Sequence, residues 1–281
     1  MRRALLPGLV VCGVVAAALV CARSATAAPP AANAPLPTTP STIAAALTST
    51  TTTLEDAIDA WRVAGAVAPA PNDLVLLALY QQRLTRSLSR RPRLVRATLP
   101  LLAPKLRAFV QDVVVAHSEL TTITPPLRTR TPRVGPPASP AKLLSFYHEA
   151  GRRFGVPWRV LAAVNFVESA FGKVRSPSAA GAQGPMQFMP GTWRVYGLGG
   201  DVHDPHDAII GAANFLRASG ARRNIRGALH AYNPSPTYVD AVLRYARRIE
   251  VDADAFYTFY NWQVFARTSA GEKRLTGPGR R

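Results

Sequence analysis

Apolar side chains recur at steps of three and four residues along much of this chain, a spacing that predicts helices rather than strands. Leu74, Leu77, Ala78, Gln81, Leu84 and Leu88 form one such stripe, with Asp73 ahead of it as a cap. Leu106, Val110, Val113, Val114 and His117 form a second. Between Ala141 and about Glu250, helical segments alternate with glycine-rich loops, and no strand periodicity of any length intervenes. The predicted class is mainly α, a small helical region followed by a larger helical domain.

Punctuation along the sequence suggests the boundaries. Residues 28–53 are rich in Ala, Pro, Thr and Ser and read as a disordered tether. Residues 54–123 are a helical accessory region, two or three helices packed as a hairpin, and residues 124–140 a stiff proline-rich linker. Residues 141–250 are the domain that carries the chemistry. Residues 251–281 read as one more aromatic-rich helix, through Phe265, followed by a disordered basic tail from Ser269.

The first 27 residues have the layout of a secretory signal peptide: a basic start, an apolar run from Leu5 to Val20, and small residues at Ala25-Thr26-Ala27. Cleavage is expected near Ala27; a retained anchor is the alternative, although the run is short for a span of about 20 residues. Both cysteines, Cys12 and Cys21, lie in this leader, so neither disulfide nor thiolate chemistry is expected after cleavage. The net charge is +18, from 34 basic and 16 acidic residues, and becomes +15 once Arg2, Arg3 and Arg23 leave. A basic exported protein meets anionic cell-envelope polymers before nucleic acid. The arginine pairs Arg90-Arg91, Arg152-Arg153, Arg222-Arg223 and Arg247-Arg248 are scattered and read as solvated faces.

The chemistry points to Glu168. Pro157 opens a helix, and Leu161, Val164, Glu168 and Phe171 come after it on one face. A carboxyl in an apolar stripe, near the negative end of a helix, has its pKa raised by desolvation and by the dipole. An acid that keeps its proton near neutrality can protonate a leaving group. The stripe alone is equally compatible with a glutamate turned sideways into solvent. The loop C-terminal to Glu168 favours the buried acid: Gly181 and Gly184 permit close backbone approach, and Met186 and Gln187 offer an apolar contact and an amide.

Three blocks then occur in a familiar order: Glu168-Ser169, Gly184-Pro185-Met186-Gln187 and Ala231-Tyr232-Asn233. On these, residues 141–250 resemble the catalytic domain of soluble lytic transglycosylases, relatives of goose-type lysozyme. The resemblance implies a lysozyme-like helical fold that cleaves peptidoglycan glycan strands without cofactor or metal. Glu168 would be the catalytic acid/base. Ser169, Gly184, Met186, Gln187, Tyr232 and Asn233 would form the substrate-binding set, Ser169 near the sugar's acetamido group, Tyr232 positioning Glu168 or that group, and Met186, Gln187 and Asn233 holding sugar or loop. The chain departs from the family at Pro185, where leucine is usual, at Pro234-Ser235, and at Gly172-Lys173.

Most glycosidases pair two carboxyl groups. Asp201, Asp204 and Asp207 precede a helical stripe and are better placed as caps or first-turn charges. The implied reaction therefore uses one acid: Glu168 protonates the bond between N-acetylmuramic acid and N-acetylglucosamine, and the muramic 6-hydroxyl closes a 1,6-anhydro ring. The alternatives are a hydrolytic muramidase, with Asp201 or Asp204 orienting water, and a wall-binding protein without turnover. His203 and His206, beside Asp204 and Asp207, are weak evidence for a metal. A secreted or envelope-bound monomer is expected.

Overall fold

The computed structural model describes residues 28–127, 131–269 and 271–279. Helix dominates it, as the stripes predict. The leader read in residues 1–27 lies outside the described residues. Among those described, no helix is long and apolar enough to cross a membrane.

The tether expected over residues 28–53 is overturned by α1 (Pro40–Val63). Thr39 caps it by accepting a hydrogen bond from the Thr42 amide, and Pro40 occupies the first turn, where its missing N–H costs nothing. Threonine- and alanine-rich composition hides a stripe of Ile43, Leu47, Leu54, Ile58 and Trp61, all buried. Burial of that face outweighs the modest helix propensity of threonine. The stretch ahead of α1 is also held, because Arg83 donates to the carbonyls of Ala32 and Ala34.

Next come α2 (Asn72–Ser89), the short α3 (Pro92–Thr98) and α4 (Pro104–Ile123). The second half comprises α5 (Pro140–Phe154), α6 (Trp158–Ser169), α7 (Pro190–Tyr196), α8 (Pro205–Ala218), α9 (Ile225–Tyr232) and α10 (Pro236–Val251). A single helix through Phe265 does not form: α11 ends at Asn261 (Ala253–Asn261), and Phe265 belongs to a strand. Nor is the tail wholly irregular. β1 (Phe265–Thr268) pairs antiparallel with β2 (Gly271–Arg274), Phe265 opposite Arg274. At four residues each, these strands are too short for a period-2 pattern to announce them.

The two halves share a core. One cluster joins Leu47 of α1, Val110 of α4, Leu161 of α6, Val242 of α10 and Phe259 of α11, and α10 packs against both α4 and α6. Arg247 and Arg248 are not simply solvated: together with Arg244 they surround the buried Asp112 of α4, with Arg248 Nε 2.8 Å from Asp112 Oδ2. The linker is pinned as well. The amides of Gly135 and Arg175 donate to the carbonyls of Lys173 and Arg133, and the Leu127 amide to that of Arg267.

Candidate active site

Glu168 is the penultimate residue of α6, one turn past the buried Val164 and Asn165. Beyond the helix end the chain turns sharply: Ala170, Phe171 and Gly172 all have positive φ, at 51°, 64° and 83°. Two non-glycine residues in that region store strain, which persists only where surroundings over-determine it. Here Phe171 is wedged against Phe166, Phe256 and Tyr260. Its amide donates to the Asn165 carbonyl at 3.1 Å, and that of Gly172 to Ser169 Oγ at 2.8 Å.

A buried polar network continues from that turn. Tyr147 donates its hydroxyl to Asn165 Oδ1 at 2.5 Å. Asn165 Nδ2 and Ser169 Oγ both donate to the Pro185 carbonyl, at 2.8 and 2.5 Å. Ser169 is 1% exposed and its hydroxyl is committed inward, so the expected contact with an acetamido group is corrected: Ser169 anchors the glycine loop to α6. Met186 holds the loop and not the sugar. Its side chain is fully buried, and its carbonyl accepts the Tyr232 hydroxyl at 2.6 Å. Gly184, at φ 72°, is required by an internal approach, since a Cβ there would lie 1.8 Å from the Val202 carbonyl oxygen.

Tyr232, edge-on to Phe188 and Phe215, therefore braces the loop and makes no hydrogen bond to Glu168. The residue bonded to Glu168 is one that the motifs do not reveal. Tyr238, two residues into α10, donates its hydroxyl to Glu168 Oε1 at 2.6 Å. Gln187 and Asn233 remain partly exposed. Gln187 has a strained φ of 51° and donates its amide to the Gly184 carbonyl. The Asn233 side chain has no hydrogen-bond partner among the described residues, and its position caps α9.

Glu168 is half-buried, and its electrostatics reflect these surroundings. Burial pushes its pKa up to about 7, against the opposing pull of the Tyr238 hydroxyl. Burial, and the nearby Glu168 charge, hold both Tyr232 and Tyr238 well above the usual phenol range, so both remain donors.

The loop acids have other work. Asp204 caps α8, its Oδ1 accepting from the amides of His206 and Asp207. Asp207 Oδ2 accepts from the Asp201 amide, and Asp201 Oδ1 from that of His203. His206 also bonds Glu149 at 3.1 Å. Ligating atoms of Asp204, His206 and Asp207 lie within 4.8 Å of one another, an arrangement these caps already account for.

Residues 145–253 match the family described as Transglycosylase SLT domain. This segment is a transglycosylase SLT domain. Its family is of lytic transglycosylase type and acts on peptidoglycan. The match begins within α5 and ends at the start of α11, leaving α1 to α4 and the hairpin outside the SLT domain. Comparisons with curated proteins and with solved structures return no match.

Proposed function

We propose that this SLT domain cleaves the β-1,4 bond between N-acetylmuramic acid and N-acetylglucosamine and leaves a 1,6-anhydro-muramic end, with Glu168 as acid and then base. One observation carries the reading: a half-buried carboxyl with a pKa near 7, whose one hydrogen-bond partner among the described residues is a tyrosine hydroxyl. Such a group is present in both protonation states near neutrality and readily gives up and regains its proton.

In the proposed sequence Glu168 gives its proton to the glycosidic oxygen as the bond from C1 to that oxygen breaks. The carbonyl oxygen of the sugar's own 2-acetamido group bonds C1 and takes up the positive charge. The 6-hydroxyl oxygen then attacks C1, displaces the acetamido oxygen and passes its proton to the Glu168 carboxylate. The acid is restored and no water is consumed. A tethered hydroxyl can have an effective molarity of ~10⁵ M or more, which favours it over water. Gln187 and Asn233 are proposed to hold the sugar. Tyr238 positions Glu168 and donates to it while it is ionised. The leader supports a place in the cell envelope, where a basic monomer would meet the glycan and anionic wall polymers.

Digestion of purified peptidoglycan with the chain freed of its leader, followed by mass spectrometry of the fragments, tests this. Anhydro-muramic ends are expected, and Glu168→Gln is expected to produce none while remaining folded. Reducing muramic ends would overturn the ring-closing step in favour of hydrolysis.

A further inference from the structure

Glu168 borders a cavity of about 310 Å³, and most of the residues that line it lie outside the SLT segment. It is lined by Thr85 and Arg86 of α2, His117 and Thr121 of α4, and Phe265 and Glu272 of the hairpin. Its size is at the lower end of ligand pockets, which run from about 300 to 1,000 Å³.

This wall is built with polar fastenings, several of them buried. Gln82 and the Gln263 backbone exchange two hydrogen bonds, each 2.8 Å long. The buried Lys173, just past the Glu168 turn, donates to the carbonyls of Tyr260 and Trp262. Arg267 donates to the carbonyls of Thr121 and Thr124. A small apolar cluster of Val264, Ala266 and Leu275 packs against Ala170 and Val174, so the hairpin is seated directly on the turn after Glu168.

Within the wall, Arg86 is the group suited to bind. Its guanidinium lies over the Phe265 ring, 4.4 Å from the centroid. Its Nε and Nη2 donate to the two oxygens of Glu272, at 3.3 and 2.5 Å. Its Nη1 has no hydrogen-bond partner among the described residues. Glu272 is shared with Arg90 at 2.8 Å, so one carboxylate faces two guanidiniums and the cluster keeps a positive excess. His117 adds no charge, because burial and the neighbouring Arg86 hold its pKa down to about 3.

Resting on the reaction proposed above, we propose that this cavity is a glycan subsite and that Arg86 binds there. Its Nη1 donates to a carbonyl or carboxylate oxygen on a substituent of the sugar adjoining the scissile bond. Two substituents of a muramoyl glycan present such oxygens, the acetamido group and the lactyl group. A guanidinium oriented by a carboxylate and an aromatic face loses little freedom when it binds one more acceptor.

Binding separates this proposal from turnover. In a Glu168→Gln background, titration with a chito-oligosaccharide and with a muramoyl glycan stripped of its peptides should show Arg86→Gln weakening affinity by about tenfold, the effect of one charge-assisted hydrogen bond. Loss with both ligands identifies the acetamido oxygen; loss with the muramoyl glycan alone identifies the lactyl carboxylate. Should Arg86→Gln not fold, Arg86→Lys decides, with roughly a threefold loss expected because the fork geometry goes while the charge stays. Unchanged affinity for both ligands in a folded variant would overturn the proposal, since a merely structural arginine would move the melting temperature and not the affinity. A chain that binds through Arg86 but cuts nothing would sink the reaction and spare this subsite.

Discussion

Glu168 is held between two opposing influences, burial that favours its protonated form and the Tyr238 hydroxyl that favours its ionised form. Tyr238→Phe removes only the second, so the Glu168 pKa should rise. The activity of a general acid falls as it deprotonates, and the alkaline limb of kcat/KM should therefore move to higher pH by about one unit, the scale of a hydrogen bond to a charged group. Initial-rate profiles on solubilised glycan would show it; an unmoved limb would mean that Tyr238 does not touch the reacting group. Glu168 was legible because its apolar stripe is followed by a glycine-rich loop and because Glu168-Ser169 is the first of three blocks in a familiar order; the stripe alone left a solvent-facing glutamate open. Tyr238 was not, because a tyrosine near the start of a helix looks like any core aromatic. Asn165 did carry a signal, an amide four residues before Ser169 inside an otherwise apolar run. Spacing of four places them on one face, although the shared acceptor, the Pro185 carbonyl, comes from a loop that spacing cannot place.

Among the elements, the contact of α4 with α10 determines whether the molecule holds together. Asp112 is buried and surrounded by Arg244, Arg247 and Arg248. Removing one partner of a buried ionic cluster leaves uncompensated charge, so Asp112→Ala should cost about 3–5 kcal/mol. Chemical denaturation should show an earlier midpoint with an unchanged slope; a loss under about 1 kcal/mol would mean that solvent compensates the arginines. At this scale the sequence was least informative where composition masked periodicity. Prolines and threonines over residues 28–53 suggested disorder, while the stripe of α1 lay beneath them. The hairpin strands were too short for alternation to register.

At the scale of the whole molecule, the SLT domain does not own its core. Leu47, Val110, Val242 and Phe259 belong to one cluster, although the family match covers only residues 145–253. Residues 140–253 produced alone should expose the apolar faces that α4 and α11 cover, bind a hydrophobic dye and lack a cooperative thermal transition. A sharp transition from that fragment would show the accessory helices to be dispensable. The separate tether, linker and tail read from the sequence are instead parts of one assembly, because the long-range bonds of Arg83, Gln82 and Arg267 leave no local trace in the order of residues. That assembly half-buries one carboxyl. Carbon-13 NMR titration of the Glu168 side-chain carboxyl, assigned by the signal lost in Glu168→Gln, measures the result directly. A midpoint near pH 7 is expected; a midpoint close to the ordinary glutamate value of about 4.3 would remove Glu168 as the acid.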